Sequence, residues 1–391
     1  MKSLLALLWI VVAVGSASAG EPERVTNPAQ PAHGVERMAL EELWRAGGPD
    51  ERIIFGVIAD ITADAEGNVY VLDNQLCQVM VFSPRGEHLR DLSRQGEGPG
   101  EIQQPTDLVF LPEATLGIVM GYPGRIVRIQ LDGTPVENLH PMGDPAEGGF
   151  AILRQAQFSN NTLVALGSAL SFGADGTGSN HRFLAVTDVE GTTSARIVEK
   201  TTPMQLAARK YVEADEYFIL SRWALAPNGH IYAALDRNRY QITELTTTGE
   251  PVRLIERDYE PRKRSQDEKD RVGSDMHVAV DGESIQFDRI VEDHDECILE
   301  LKAMSDGSLW VLPPQGRYDQ PEEIFETWDL FDSNGTFVKQ VAIPLGREIP
   351  EGTSFLVGHS LLVMVKGLNA GSSTEEDTAA EPLEVICYRI G

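Results

Sequence analysis

The chain is poor in cysteine, in basic residues and in long apolar runs, and each shortage excludes a class of protein. Lysine and arginine total 33 against 60 aspartates and glutamates, a formal net charge of −27. A surface of this charge repels phosphate groups, so nucleic acid and anionic membranes are excluded as expected partners. The three cysteines, Cys77, Cys297 and Cys387, lie in apolar strand patterns. We therefore predict that they are buried core residues and neither a disulfide framework nor metal ligands.

Only one long apolar run stands out, from Leu4 to Val14, and it follows Lys2 and precedes the small residues at 17–19. A membrane-spanning helix needs about 20 apolar residues, so an N-terminal anchor is the weaker alternative. The pattern predicts a secretory signal peptide over 1–19, a flexible lead-in over 20–34, and a periplasmic or extracellular protein without a membrane span after cleavage.

Local catalytic and cofactor motifs are also missing from the sequence. The eight histidines show no metal-binding spacing, the glycine-rich stretch 173–180 lacks a following Lys-Thr or Lys-Ser, and no G-x-S-x-G occurs. The acidic residues of 288–296 lack the order of a calcium loop, so we interpret them as a solvated loop. We expect no cofactor, with a divalent cation such as calcium as the alternative.

One stretch, from Ala59 to Pro105, contains a complete structural unit. Four short runs alternate apolar and polar residues or are wholly apolar, and tight turns containing glycine, such as Asp64 to Gly67 and Pro84 to Gly86, separate them. The runs are too short for helices, and glycine supplies the positive φ that such turns need. The stretch therefore predicts a four-stranded antiparallel sheet.

The same turn pattern recurs along the chain. The glycine between the third and fourth strands reappears as Gly86, Gly133, Gly191, Gly249 and Gly335. The pattern of the second strand appears six times, beginning at Gly67, Ala114, Asn161, Gly229, Gly307 and His359. Repeats of this length are typical of sheets that bury their faces against one another around an axis.

We therefore predict an all-β fold, a six-bladed β-propeller of four-stranded antiparallel blades over 35–391. The last unit is one strand short, and the run from Arg37 to Trp44 can supply that strand beside Leu383 to Arg389. Closure of this kind removes exposed sheet edges. A β-sandwich with insertions is the alternative, but it does not explain six copies of one turn pattern.

The first unit, GNVYVLDNQLCQVMVFSPRGEHLRDLSRQGEGPGEIQQP, resembles the NHL-type repeat, and Gly96 to Pro105 is its most specific part. The chain beyond the signal peptide is similar to secreted bacterial six-bladed propellers of the TolB-like group. The resemblance implies the fold. It implies little about chemistry, because related propellers include binding modules, lactone-hydrolysing and amidating enzymes, and receptor ectodomains.

Long connections fall on one predicted face of the ring, while the opposite face has tight turns. The longest connection, 259–296, is charged and predicts about three helical turns from the N-cap Ser265 to Val272, with Gly273 as the stop. Its basic cluster, 262–264, suggests a partial lid over the loop-rich face. The segment 367–382 reads as a flexible loop.

Five units place a charged residue seven positions before the turn that joins the first and second strands. These residues are Asp60, Asp107, Arg154, Arg222 and Glu300. Because the innermost strands begin at the loop-rich face, we expect the five side chains to ring the mouth of the central channel, with the carboxylates opposite the arginines and with depressed pKa values. A purely structural network of ion pairs between blades is the alternative.

Two classes of function remain open. The first is a non-catalytic binding or scaffolding propeller, monomeric, that recognises a small molecule, a peptide or a protein at the channel mouth. The second is a metal-assisted hydrolase or lyase in which Asp60, Asp107 and Glu300 hold the ion. The arginines at the mouth favour the first class, because they compete with a cation for the carboxylates.

Overall fold

A computed structural model describes residues 21–48, 53–142, 150–173, 178–188, 191–204, 210–274, 278–280, 283–285, 288–346, 353–357, 360–367 and 382–391. The predicted signal peptide lies outside these residues, as does nearly all of the predicted flexible loop 367–382. Among the described residues no helix has the length and apolar character needed to cross a bilayer.

Three strands near the N-terminus precede the blades: β1 (Glu23–Asn27), β2 (Val35–Arg37) and β3 (Leu40–Gly47). Blade 1 contains β4 (Ile58–Ala63), β5 (Val69–Asp73), β6 (Gln78–Phe82) and β7 (His88–Leu92). Blade 2 contains β8 (Pro105–Leu111), β9 (Thr115–Met120), β10 (Arg125–Gln130) and β11 (Pro135–Leu139). Blade 3 contains β12 (Phe150–Ser159), β13 (Thr162–Phe172), β14 (Gly178–Thr187) and β15 (Thr193–Met204).

A short connection with β16 (Lys210–Val212) and α1 (Glu213–Glu216) leads into blade 4. Blade 4 contains β17 (Trp223–Leu225), β18 (Ile231–Ala233), β19 (Gln241–Leu245) and β20 (Pro251–Arg257). The following insertion contains α2 (Gln266–Arg271), β21 (Val278–Val280), β22 (Glu283–Ile285) and β23 (Asp288–Ile290). Strand β23 pairs in parallel with β16, and β21 pairs with β22.

Blade 5 contains β24 (Glu300–Ala303), β25 (Leu309–Leu312), the helix α3 (Pro314–Tyr318), β26 (Glu326–Phe331) and β27 (Phe337–Ile343). Blade 6 contains β28 (Thr353–Val357), β29 (Leu361–Lys366) and β30 (Glu384–Ile390), with β3 as its outermost strand. The inner strands of consecutive blades contact one another, β28 with β4, β4 with β8, β8 with β12, β12 with β17, and β17 with β24. The predicted six-bladed propeller is therefore confirmed.

Closure of the ring also follows the prediction. Strand β3 runs antiparallel to β30, and Trp44 lies opposite Cys387. The lead-in differs from the expected flexible segment, because β1 pairs in parallel with β20 of blade 4 and β2 with β27 of blade 5. The physical reason is the polar side chain of Asn27, which is buried and hydrogen-bonds the backbone of both neighbouring blades.

The hydrophobic core consists of six layers, one between each pair of adjacent blades. Strand β5 is buried at all five positions because blades cover both of its faces. The three cysteines, all within the described residues, are buried and free, as predicted. The five predicted glycines between third and fourth strands all have φ between 81° and 93°, a conformation that a residue with a Cβ adopts at a cost.

Candidate functional site

The inner strands of blades 1, 2 and 3 each contain a β-bulge near the loop-rich face. The bulges lie between Ile58 and Asp60, between Pro105 and Asp107, and between Leu153 and Gln155. A bulge redirects the following side chain relative to a regular strand. Asp60, Asp107 and Gln155 thereby line a cavity at the mouth of the channel.

This channel-mouth cavity has a volume of about 760 Å³ and is lined mainly by polar groups. Every blade contributes to its wall. Its lining side chains include Asp60, Thr106, Asp107, Gln155, Ser221, Arg271, Glu300, Lys302, Arg317, Tyr318, Phe325, Glu326, Ser354 and Phe355. Hydrogen-bond donors and acceptors held by a rigid scaffold around a concave space are characteristic of small-molecule sites.

Asp60 and Asp107 form a pair of carboxyl groups within hydrogen-bonding reach of each other. The Oδ2 atom of Asp60 accepts a hydrogen bond from the backbone N–H of Leu108 over 2.9 Å. The Oδ2 atom of Asp107 accepts one from the N–H of Ala156 over 2.7 Å. Each carboxyl group is thus fixed by the backbone of the next blade.

The pKa values of this pair contradict the expected depression. Burial raises the pKa of Asp60, although the contact with Asp107 and the backbone N–H groups oppose the rise. Burial, followed by the negative charge of Asp60, raises the pKa of Asp107 well above its ordinary value. The expectation was wrong because burial disfavours the charged forms, no arginine among the described residues forms an ion pair with either carboxyl group, and two adjacent carboxylates cannot both ionise cheaply. The arrangement favours one proton held between them.

The other charged wall of the cavity is built around Glu300. The Nζ atom of Lys302 lies 3.0 Å from one Glu300 oxygen, and an Arg317 nitrogen lies 3.5 Å from the other. Arg317 also pairs with Glu326 over 2.9 Å. Burial disfavours the charged ammonium of Lys302, but Glu300 and Asp60 offset this and its pKa is raised.

Glu326 has only 3% of its side chain exposed, and three hydrogen-bond donors surround its carboxylate. Arg317 Nε donates to its Oε1 atom over 2.9 Å, while the indole N–H of Trp328 and the hydroxyl of Ser354 each donate to Oε2 over 3.1 Å. The carboxylate oxygens of Glu326 are therefore largely occupied by donors of the protein itself.

Three of the five predicted site residues, Asp60, Asp107 and Glu300, line the cavity, whereas Arg154 and Arg222 do not. Arg154 is the exposed bulge residue in β12, and the neighbouring Gln155 takes the place that was expected for it. Arg222 turns towards the neighbouring connection, where it pairs with Glu296 and donates from Nε to the backbone oxygen of Ile298 over 2.8 Å.

Sequence reasoning missed Lys302, Arg317, Glu326 and Gln155. A signal for Lys302 was available, since it lies two residues after Glu300 and a strand alternates its faces with a period of two. Arg317 and Glu326 come from α3 and from the start of β26. Only the three-dimensional arrangement of the connection between second and third strands brings them to the mouth.

The predicted helix in the connection 259–296 is present as α2, with Ser265 at the N-cap in a capping box with Glu268, but its 6 residues form about 1.7 turns and not the three that the sequence predicted. Its Arg271 lines the cavity, so the helix borders the channel mouth. Ion pairs fix the position of the basic cluster 262–264, which precedes α2. Arg262 contacts Asp295 over 2.7 Å, and Arg264 contacts Asp295 over 2.5 Å.

The acidic stretch 288–296 is only partly the solvated loop that the sequence predicts. Asp295 is buried, with 6% of the residue exposed, because its carboxylate is shared by Arg262 and Arg264. Arg264 also contacts Glu213 over 2.8 Å. Burial raises the pKa of Glu213, but the N–H of Glu292 and the contacts with Arg264 and Arg237 lower it overall. Arg264 thereby joins the segment before α2 to α1 and, through the contact of Glu213 with Arg237 over 2.8 Å, to blade 4.

Within the part of the chain that the structure describes, no group of three or more His, Cys, Asp or Glu side chains has the arrangement of a metal site. Glu300, which the sequence predicted as a ligand of an ion, has Lys302 and Arg317 as its neighbours. A cation approaching Glu300 would have to displace both side chains.

No family model matches the chain, and no curated protein matches it. Solved structures match at low identity. A member of the DUF4221 family from Bacteroides vulgatus has 9% identity and a TM-score of 0.49, with 91% of this chain and 99% of that chain covered. Regucalcin, a calcium-binding protein from Agrobacterium tumefaciens, has 12% identity and a TM-score of 0.44, with 91% and 96% covered. Virginiamycin B lyase from Staphylococcus aureus has 8% identity and a TM-score of 0.39, with 90% and 99% covered. These proteins are distantly similar to this chain in fold alone.

Proposed function

We propose that this chain is an exported, non-catalytic binding propeller that takes a small polar ligand or the end of a peptide in the channel-mouth cavity. The observation that carries the proposal is the cavity itself, about 760 Å³ in volume, with polar side chains contributed by all blades. We also propose that the chain is exported and that it is related to NHL-type and TolB-like propellers. Both proposals rest on the sequence patterns described above.

The walls of the cavity are suited to binding because they are held rigidly. Asp60 and Asp107 are fixed by backbone N–H groups, and the Oε1 atom of Gln155 accepts a hydrogen bond from the indole N–H of Trp223 over 3.1 Å. Groups that are already oriented lose little conformational entropy when a ligand binds. A preorganised polar site therefore gives specificity for a ligand of matching hydrogen-bonding pattern.

The metal-assisted hydrolase or lyase receives less support. It requires Asp60, Asp107 and Glu300 to act together on one ion, whereas Glu300 pairs with Lys302 and Arg317. Removing two cations from a carboxylate before a metal binds adds an energetic cost that preformed metal sites avoid. For this reason we propose binding and not metal-assisted catalysis.

The proposal is tested by a ligand screen with a blocked cavity. Thr353 is an exposed residue that lines the cavity, and Thr353→Trp should fill part of its mouth. Thr192→Trp is the matched control, because Thr192 is exposed at the turn between β14 and β15. Compounds found by NMR with the unmodified protein should lose binding in Thr353→Trp and keep it in Thr192→Trp. If Thr353→Trp alters the binding of no compound, the proposed function is wrong.

A further inference from the structure

The channel-mouth cavity contains more carboxyl groups than permanent cations close to them. Its carboxyl groups are Asp60, Asp107, Glu300 and Glu326, and the cations that contact them are Lys302 and Arg317. Arg271 of α2 and Tyr318 also line the cavity. The ligand-free cavity therefore has an unbalanced negative charge unless it binds a proton or another cation.

The two cations are committed to one side of the cavity. Lys302 contacts Glu300 over 3.0 Å, and Arg317 contacts Glu326 over 2.9 Å. Asp60 experiences the charge of Lys302 only at longer range, and Asp107 has no cation beside it among the described residues. The unbalanced charge is thus concentrated at the Asp60–Asp107 pair, between blades 1 and 2.

We propose that the ligand of this cavity carries a primary ammonium group, which binds between the carboxyl groups of Asp60 and Asp107. This inference rests on the proposed function and adds a ligand class to it. Only an O–H bond changes: the carboxyl proton of the pair is transferred to water or buffer, and no bond between heavy atoms forms or breaks. The proton that the two carboxyl groups share in the free protein passes to solvent, and the ammonium group supplies the positive charge in its place.

Several features favour an ammonium group over other ligand groups. An ammonium is a compact cation with three donors, so it can bond to both carboxyl groups at once. Phe325 and Phe355 line the same cavity and provide apolar surface for the carbon chain of an amine. The net charge of −27 raises the local concentration of cations near the protein and lowers that of anions.

The test compares n-butylamine with n-butanol, which has the same carbon chain without the charge. NMR titration should show butylamine binding at least about tenfold more tightly than butanol, a difference of roughly 1.4 kcal/mol. Asp60→Asn and Asp107→Asn should each remove most of this preference. Glu41→Gln is the control, because Glu41 is exposed on β3 and should leave binding unchanged.

Proton release provides a second readout. Calorimetry of butylamine binding in two amine-free buffers with different ionisation enthalpies should show release of up to about one proton by the unmodified protein. Asp107→Asn, which replaces the acid by a neutral isostere, should abolish the release. Equal affinities for butylamine and butanol, no binding of butylamine, or binding without proton release would each overturn the inference.

Two experimental outcomes distinguish a wrong ligand class from a cavity that binds no ligand. If compounds without an amine bind and are blocked by Thr353→Trp while butylamine does not bind, the cavity is a ligand site but the ligand class is wrong. If Thr353→Trp blocks no compound, the cavity is not a ligand site and both proposals fail.

Discussion

The carboxylate of Asp60 in blade 1 accepts a hydrogen bond from the backbone N–H of Leu108 in blade 2 over 2.9 Å. Asp107 makes the equivalent contact with Ala156 in blade 3 over 2.7 Å. The two carboxyl groups that face the cavity therefore also join three consecutive blades. Asparagine is the informative substitution at either position, because its side-chain oxygen can retain the contact between blades.

Asp107→Asn should make the protein more stable at neutral and alkaline pH. The pKa of Asp107 is raised, chiefly by burial, so its stabilising effect is complete below the ordinary aspartate pKa and is lost as pH rises through the raised value. Asparagine carries no charge at any pH. Denaturant unfolding should show an advantage for the variant that appears above about pH 4, the ordinary aspartate pKa, grows as pH rises and levels off above the raised pKa of Asp107.

Asp132→Asn is a control for which the change in stability with pH should have the opposite sign. The backbone N–H of Thr134 lowers the pKa of this exposed carboxylate, so it stabilises the fold above the ordinary aspartate pKa and loses that effect as pH falls. The variant should therefore be less stable than the unmodified protein at neutral pH. An advantage of Asp107→Asn that is the same at all pH values would contradict the titration argument.

Gly86→Ala should weaken closure of the ring. Gly86 has a φ of +82°, and a Cβ added there would lie 2.6 Å from Trp44, the residue of β3 that packs on Phe82 with a centroid distance of 5.3 Å. Gly67 has nearly the same φ, +83°, but its nearest neighbour, Pro84, would be 3.5 Å from the added Cβ. Thermal unfolding should show a loss of about 1 kcal/mol for Gly67→Ala, and a further 1–3 kcal/mol, roughly, for Gly86→Ala. Equal losses would show that Trp44 moves aside without cost.

Asn27→Ala should destabilise the contact between blades 4 and 5. The Asn27 amide donates to the backbone oxygens of Gly335 over 2.9 Å and Glu256 over 3.1 Å, and its oxygen accepts from the N–H of Phe337 over 2.8 Å. Alanine leaves these buried groups without partners, at a cost of about 2–3 kcal/mol in the free energy of unfolding. Thr26→Ala, at the exposed neighbouring position, should change stability by less than about 0.5 kcal/mol. Similar values for both would mean that β1 contributes little to the fold.

Arg264→Gln should release α2 and its connection from blade 4. Only 8% of the Arg264 side chain is exposed, and its partners Glu213 and Asp295 are similarly buried, at 11% and 7%. Loss of the guanidinium leaves Asp295 paired with Arg262 and Glu213 paired with Arg237, so the cost should be below the roughly 3 kcal/mol of a buried charge left without any partner. Hydrogen exchange should increase in α2. Lys263→Gln, at the exposed position beside it, should have little effect on either measurement.

The blade architecture could be predicted because its signals are local. A turn glycine such as Gly86 or Gly335 marks the end of a strand wherever it occurs, and the alternation of side chains defines the faces. The closing strand was predictable because an unpaired sheet edge requires a partner. The pairing of β1 with blade 4 was not, since it depends on the buried hydrogen bonds of Asn27, whose partners lie more than 200 positions away in the sequence.

The site was predicted only in part because turn length changes the strand register. In blade 2, Leu111 pairs with Thr115 across three residues, whereas in blade 3, Ser159 pairs with Thr162 across two. Counting back a fixed number of residues therefore reaches Asp107 correctly but reaches Arg154 where Gln155 lines the cavity. The raised pKa values were not predicted because they depend chiefly on burial at the channel mouth and, for Asp107, also on the negative charge of Asp60 from another blade.

The pairing of β1, β2 and β3 with blades 4, 5 and 6 has a consequence for biosynthesis. These strands are translated before the strands β20, β27 and β30 with which they pair. Until those partners are translated, the backbone N–H and C=O groups of β1, β2 and β3 lack their strand partners. The segment that contains these strands must remain accessible while the ring assembles. If this segment became trapped in another polypeptide, blade 6 would lack its outermost strand, and blades 4 and 5 would lack the additional strands β1 and β2.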